Sequence, residues 1–224
     1  MFAHLPPKLA DFSPSVDRDK YVKTELLIVE GDSASTSVEV ARDRSYQAVL
    51  PIQGKPLNAW RATRKKVAEN FFYQAIIASI GAGWDTEFEL SKSRYDRIVL
   101  VFDPDADGIH CSMLVLMFFY RWMRPLLDAD RIELVRAPMF QITYDGLTEL
   151  ICIEEELAAR TEVSRHIADG KTNVQKKRFR GLGSMGQAVL SQTCVKPSSR
   201  SSVIMRAADA EAAIAVFSPA KRKV

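Results

Sequence analysis

Three aspartates at alternate positions, Asp103, Asp105 and Asp107, follow directly on the apolar run Val99-Leu100-Val101-Phe102. Carboxylates so close repel one another by about 1 kcal/mol per pair in water, and by more at a shielded site, so something must offset them. A hard divalent cation does this naturally, because Mg2+ takes oxygen ligands and usually only one or two protein carboxylates. A solvated Asp-rich turn is the plainer alternative. A calcium loop also opens on Asp-x-Asp-x-Asp-Gly, but its twelfth position here is Leu114 instead of a glutamate, and a strand-like run precedes it where a helix is needed. A fourth acid, Glu30, ends the apolar run that begins at Glu25. Further on, Lys176-Lys177-Arg178-Phe179-Arg180-Gly181-Leu182-Gly183 sets four cations against two glycines. Such a stretch suits a phosphate backbone, or is an ordinary basic loop.

These residues need elements to hold them. Glu25 to Val29 is a short continuous apolar run, as expected of a strand buried on both faces of a parallel sheet. Gly31 then allows a tight turn, and Asp32 or Ser33 can cap a helix running through Val38 to about Ala41. Glu30 is thereby placed at the carboxyl end of a strand, where open α/β sheets bind their ligands. Ala48 to Ile52 is a second strand, followed by an exposed loop carrying Lys55 and Asn58. Apolar spacing predicts a helix from Val67 to Ile80 with Gly81 as its C-terminal cap. Arg97 to Phe102 is the strand that delivers the aspartates, His110 to about Leu127 a buried helix, and Ile132 to Val135 a further strand. That alternation argues an α/β fold with a parallel sheet covered by helices. If the first and third strands are neighbours, their acids can hold one or two Mg2+ ions at one edge, and Glu30 can also shuttle a proton.

The texture changes after Pro138. Phe140 to Tyr144 and Leu147 to Ile153 flank Asp145-Gly146, a dipeptide suited to a type I′ hairpin turn. A helix from Glu154 to near Gly170 precedes the basic stretch, and Ala207 to Phe217 is an Ala-rich helix followed by Lys221-Arg222-Lys223. The expected organisation is a connector over 1–22, a metal-binding α/β domain over 23–138, and over 139–224 a smaller α+β region with hairpin, basic Gly-rich loop and tail.

With 224 residues and a net charge of only +3, the chain reads as soluble and globular, yet from Lys171 onward basic residues far outnumber Asp209 and Glu211. That asymmetry suits a polyanion partner or a solvated basic tail. The most apolar run, Met113 to Tyr120, is too short for a membrane span, so no membrane partner is expected. Cys111, Cys152 and Cys194 show no Cys-x-x-Cys spacing, which suggests neither disulfides nor zinc and fits a reducing cytoplasm.

Four stretches, in order and well spaced, carry a resemblance: Glu30-Gly31-Asp32-Ser33-Ala34, Leu50-Pro51-Ile52-Gln53-Gly54-Lys55-Pro56-Leu57-Asn58, Asp103-Pro104-Asp105-Ala106-Asp107-Gly108-Ile109-His110, and Arg178-Phe179-Arg180-Gly181-Leu182-Gly183. Together they resemble the motifs of the B subunits of DNA gyrase and topoisomerase IV, from about Leu5 to about Arg200. The resemblance implies a Rossmann-like Toprim fold in which Glu30, Asp103 and Asp105 are ligands of Mg2+, or of the similar Mn2+, with Asp107 supporting them and Glu30 the catalytic residue. It implies DNA contacts from Lys55 and Asn58, beside those offered by Lys176, Lys177, Arg178 and Arg180. It also implies a gyrase A-type partner whose tyrosine cleaves each strand, and a cytoplasmic, nucleoid-associated location.

The departures are specific. Ser35-Thr36-Ser37 stands where the family has Gly-Gly-Ser, Gln53 where a basic residue is usual, and Ser184 where a glutamate precedes Met185. No Gly-rich ATP motif is present, so no ATP site is expected in this chain. The expected function is a Mg2+-dependent Toprim subunit that assists strand cleavage and religation. A non-catalytic gyrase-interacting modulator and a stand-alone Toprim nuclease are the competing expectations.

Overall fold

The computed structural model describes residues 5–13, 23–145, 147–153 and 155–217. In chain order the elements are β1 (Glu25–Glu30), α1 (Asp32–Ala41), β2 (Gln47–Ile52), α2 (Arg64–Ala68), α3 (Phe71–Ile80), β3 (Arg97–Val101), α4 (Ala106–Trp122), α5 (Pro125–Asp128), β4 (Ile132–Val135), β5 (Phe140–Tyr144), β6 (Leu147–Ile153), α6 (Glu156–Ala168), β7 (Gln175–Arg178), α7 (Gln187–Leu190), β8 (Ser202–Ile204) and α8 (Ala207–Phe217).

One sheet runs in the order β2-β1-β3-β4-β8, and its first four strands are parallel. Strand side chains alternate between faces, so both faces of these apolar runs must be covered. Leu26, Ile28, Leu50, Ile98 and Leu100 meet α3 and α4 through Tyr73, Ile77, Val115 and Phe118 on one side. Leu27, Val29, Val49, Val99 and Val101 meet α1 and the segment from Phe179 to Val195 on the other. The mixed α/β class with a helix-covered, mostly parallel sheet is therefore as the alternation predicted. β8 joins antiparallel to β4, and α8 packs Ala213 and Ile214 against Leu114 and Met117 of α4. Residues 202–217 thus return to the first sheet. A second sheet, β6-β5-β7, is antiparallel and lies against α6 through Phe140, Ile142 and Ala159.

Several local expectations need correcting. The helix predicted over 67–80 is two, because Asn70 turns extended and caps α3 by accepting the Tyr73 N–H at 3.2 Å. Gly81 does cap it in the left-handed region. α1 begins after Gly31, whose φ of 82° admits glycine readily, and Asp32 and Ser33 lie inside the first turn instead of capping it. α4 starts at Ala106, four residues before the expected His110, and ends before Pro125 opens α5. The predicted basic loop is in part a strand, β7, paired antiparallel with β5 so that Arg178 faces Phe140. Gly146 of the predicted hairpin turn, Glu154 and Lys221-Arg222-Lys223 lie outside the described residues.

The sheet is also pinned by charge. Arg200 is buried between Glu25 at the start of β1 and Glu133 on β4, donating Nη2 to Glu25 Oε1 at 2.8 Å and Nε to Glu133 Oε1 at 2.5 Å. Gln47 adds a hydrogen bond to Glu25, and Arg97 an ion pair to Glu133. Every guanidinium nitrogen of Arg200 and every carboxylate oxygen of Glu25 and Glu133 has a partner, which a buried ion pair requires if it is not to destabilise the fold.

Candidate metal centre

β1 and β3 are hydrogen-bonded neighbours, with Val29 opposite Val101, so both deliver their acids to the same edge of the sheet. Glu30 closes β1, and Asp103 stands two residues beyond β3 with its backbone N–H donating to Glu30 Oε2 at 3.4 Å. Asp103 Oδ1 accepts the N–H of Leu182 at 2.8 Å, which brings the Gly181-Leu182-Gly183 turn onto the acid. Gly181 leaves the Asp103 carboxylate its room, since a Cβ there would fall 2.6 Å from Asp103 Oδ2 and push that carboxylate aside. Gly108 is constrained from the other side: a Cβ would sit 2.1 Å from the Asp103 carbonyl oxygen. The two glycines let backbone close around Asp103 from both sides.

The three aspartates have different tasks. Asp105 is the N-cap of α4, its Oδ1 accepting the N–H groups of Asp107 at 3.0 Å and Gly108 at 2.9 Å. Asp107 lies exposed in the first turn and forms an ion pair with Lys55 at 2.8 Å. One turn on, the buried Cys111 thiol falls on the same helix face. Ligand atoms of Glu30, Asp107 and Cys111 all lie within 4.8 Å of one another. Sequence reasoning missed Cys111, although its i+4 spacing from Asp107 was the available signal.

Electrostatics separates the acids in the same way. Burial, with repulsion from Asp103, Asp107 and Asp105, pushes the Glu30 carboxyl above its ordinary value against the opposing Asp103 N–H bond. Burial likewise raises Asp103, with Asp105 adding repulsion and the Leu182 N–H opposing it. Asp107 is held low by its hydrogen bond and charge pairing with Lys55, whose ammonium is raised in return. Burial and the neighbouring carboxylates push the Cys111 thiol up to about 12, so it stays protonated at neutral pH. Deprotonated Glu30 and Asp103 are under-compensated by the protein, and their oxygens match the preference of a hard divalent cation.

The predicted DNA-contacting residues are not all drawn together. Arg178 and Arg180 line a cleft of about 490 Å³ with Pro104, Asp105, Met139 and Phe179, beside the acidic loop. Lys55 reaches the acids through Asp107. Lys176 is turned away onto Glu156 at 2.7 Å, and Lys177 lies over the Phe179 ring. Asn58 accepts the Arg61 N–H at 3.3 Å in the turn after β2. Gln53, at the position where the resemblance leads one to expect a cation, donates to Asp32, and Lys8 supplies that carboxylate with a charge at 3.1 Å. Among the described residues no helix is long and apolar enough to cross a membrane.

The chain is similar to the DNA gyrase B subunit of Archaeoglobus fulgidus, 38% identical over 214 residues that make up 96% of this chain and 32% of the relative. To the DNA gyrase B subunit of Thermotoga maritima it is 39% identical over 213 residues, 95% of this chain and 32% of that protein. To that of Streptococcus pneumoniae it is 34% identical over 218 residues, 96% and 33%. The chain thus spans about a third of the length of these relatives. The Toprim domain model matches residues 25–137, the stretch that carries all four acids and both of the neighbouring strands that present them, and the chain belongs to the Toprim family.

Proposed function

We infer that this chain is the metal- and DNA-binding Toprim part of a type IIA DNA topoisomerase, an isomerase working in the cytoplasm on nucleoid DNA. It assists strand cleavage and religation by a tyrosine-bearing A-type subunit. The observation that carries this reading is the meeting of Glu30 and Asp103 at one sheet edge, with Asp105 and Asp107 alongside and Arg178 and Arg180 on the adjoining cleft. Likeness to DNA gyrase B subunits along nearly the whole chain supports the topoisomerase assignment.

A set of carboxylate oxygens of the kind the resemblance implies suits Mg2+. Glu30, Asp103 and Asp105 would hold it, with Asp107 supporting once Lys55 releases it, and Mn2+ suits the same oxygens. Bound there, the ion supplies positive charge to the oxygens of a phosphodiester and its leaving group. The chain's own residues do the rest. Leu182 N–H and Gly108 fix the orientation of Asp103, Asp105 locks the start of α4, and Lys55 is placed to move from Asp107 to a backbone phosphate. Glu30, raised by burial, is suited to hold or pass a proton at its carboxylate oxygen.

The test is strand cleavage by the chain reconstituted with an A-type subunit. Glu30→Ala and Asp103→Ala should each abolish Mg2+-dependent cleavage, and loss of the partner tyrosine should do the same. Unaltered cleavage by both variants would overturn the reading. Gln53, a neutral residue bonded to Asp32 where the resemblance leads one to expect a cation, favours a second reading, a non-catalytic modulator of gyrase. That reading requires inhibition of supercoiling that survives Asp103→Ala. Plasmid nicking by the chain alone would point instead to a free-standing nuclease.

A further inference from the structure

At the other end of the sheet lies a second polar cleft that the proposed reaction does not use. β2 pairs with β1 so that Gln47 stands beside Glu25 and Ile52 beside Glu30. The cleft near Gln47 is therefore separated from the acids by the strand length, roughly 17 Å at about 3.3 Å per residue. Its volume is about 380 Å³, and it is lined by Arg42, Asp43, Arg44 and Tyr46 from the α1–β2 connection and by Lys196 from the far side of the chain.

The cations in it are poorly matched. Arg42 spends Nη1 on the carbonyls of Asp11 and Gln47, but its Nε is buried and has no acceptor among the described residues. Burial and the charge of Arg44 work against the Arg42 guanidinium and outweigh the support it draws from Glu39 and Asp11. Asp11, its nearest acid from the N-terminal segment, is committed to Arg94. Asp43, the one carboxylate in the lining, turns Oδ1 to the N–H and hydroxyl of Ser45. Among the described residues no ion pair reaches Arg44 or Lys196, and both are exposed. The C-terminal dipole of α1 favours positive charge nearby, but it supplies no acceptor for a buried Nε. Two guanidinium groups with an ammonium around one cleft suit tetrahedral oxyanions.

We propose that the Arg42–Arg44–Lys196 cleft is a phosphate-binding site, distinct from the acidic edge and independent of the divalent cation. Its ligand is a phosphate group, either free or in the backbone of a nucleic-acid segment other than the one at the acids. Because Lys196 lies four residues before Arg200, occupancy ties the α1–β2 connection to the segment that closes the sheet.

Thermal melting of the full chain in EDTA, titrated with inorganic phosphate against chloride at constant ionic strength, tests this. Phosphate should raise the melting temperature saturably. The double variant Arg44→Ala/Lys196→Ala, which alters only exposed side chains, should bind phosphate about tenfold more weakly or worse, as expected for lost charge-assisted hydrogen bonds, with Mg2+ binding unchanged. Competition by a short DNA duplex would identify a phosphodiester as the source, and its failure would identify a free phosphate. A phosphate response no greater than that of chloride, or equal responses in wild type and double variant, would overturn the proposal.

Discussion

Replacing Arg200 by alanine removes the cation that joins β1, β4 and the segment leading into β8 while leaving the acidic edge untouched. The Arg200, Glu25 and Glu133 side chains are only 1%, 3% and 4% exposed, so the two carboxylates left behind cannot be rescued by water. Breaking a buried pair by deleting one partner costs about 3–5 kcal/mol. Gln47 still bonds Glu25 and Arg97 still pairs with Glu133, which favours the lower end, about 3 kcal/mol. With a urea dependence of about 2 kcal/mol per molar, the midpoint should fall by about 1.5 M. The loss should depend on pH. Burial raises the Glu133 carboxyl, but hydrogen bonds from Arg200 and Ser202 and the charges of Arg200 and Arg97 outweigh it and hold the pKa below the ordinary 4.5. A depressed carboxylate contributes stability that is fully present above its unfolded pKa and is lost as pH falls through its folded value. The gap between wild type and Arg200→Ala should therefore be widest near neutrality and shrink below about pH 4. Adding Glu25→Gln and Glu133→Gln to the variant should recover part of the loss. Urea unfolding at pH 7 with a difference under about 1 kcal/mol, or a gap that does not change with pH, would refute the argument.

Gly108→Ala should destabilise the chain by about 1–3 kcal/mol in the same assay, despite alanine's better helix propensity, because its Cβ meets backbone and not a mobile side chain. Gly181→Ala should leave the urea midpoint nearly unchanged but displace the Asp103 carboxylate, weakening Mg2+ in a calorimetric titration by about tenfold. Lys55→Ala should free Asp107 without weakening Mg2+ binding, and should lower the slope of DNA affinity against salt by about one ion in anisotropy measurements at several salt concentrations. Because Glu30 and Asp103 hold their protons to higher pH than ordinary carboxylates, Mg2+ must displace them on acidification. Its affinity should therefore fall at a higher pH than a site of unperturbed acids would show.

The parallel sheet was readable because its strands are continuous apolar runs and its helices carry clear periodicity. Leu26 and Ile28 alternate with Leu27 and Val29, so a strand here has to be covered on both faces. The acids were readable because they end those strands. What escaped reading depended on contacts between distant residues. β8 is a three-residue strand whose place is set by pairing with β4 and by Arg200, not by its own sequence. β7 is polar at every position, so no hydrophobic alternation marks it, and its strand form comes from Phe140 and its neighbours on β5. Gly181 reads as flexibility in sequence, whereas in the fold it is clearance for Asp103. The split of Lys176 from Arg178 and Arg180 likewise follows from a distant contact, the ion pair that Glu156 at the start of α6 makes with Lys176.

Calorimetric titration of the full chain with Mg2+, in wild type and in Glu30→Gln and Asp103→Asn, tests the central claim most directly. Wild type should bind, with proton release growing as the pH is lowered toward the carboxylate range, and each substitution should weaken binding by at least about tenfold, since it removes a charged oxygen donor from the site. Equal Mg2+ binding by wild type and both variants would mean that the acids at the ends of β1 and β3 are not the metal centre.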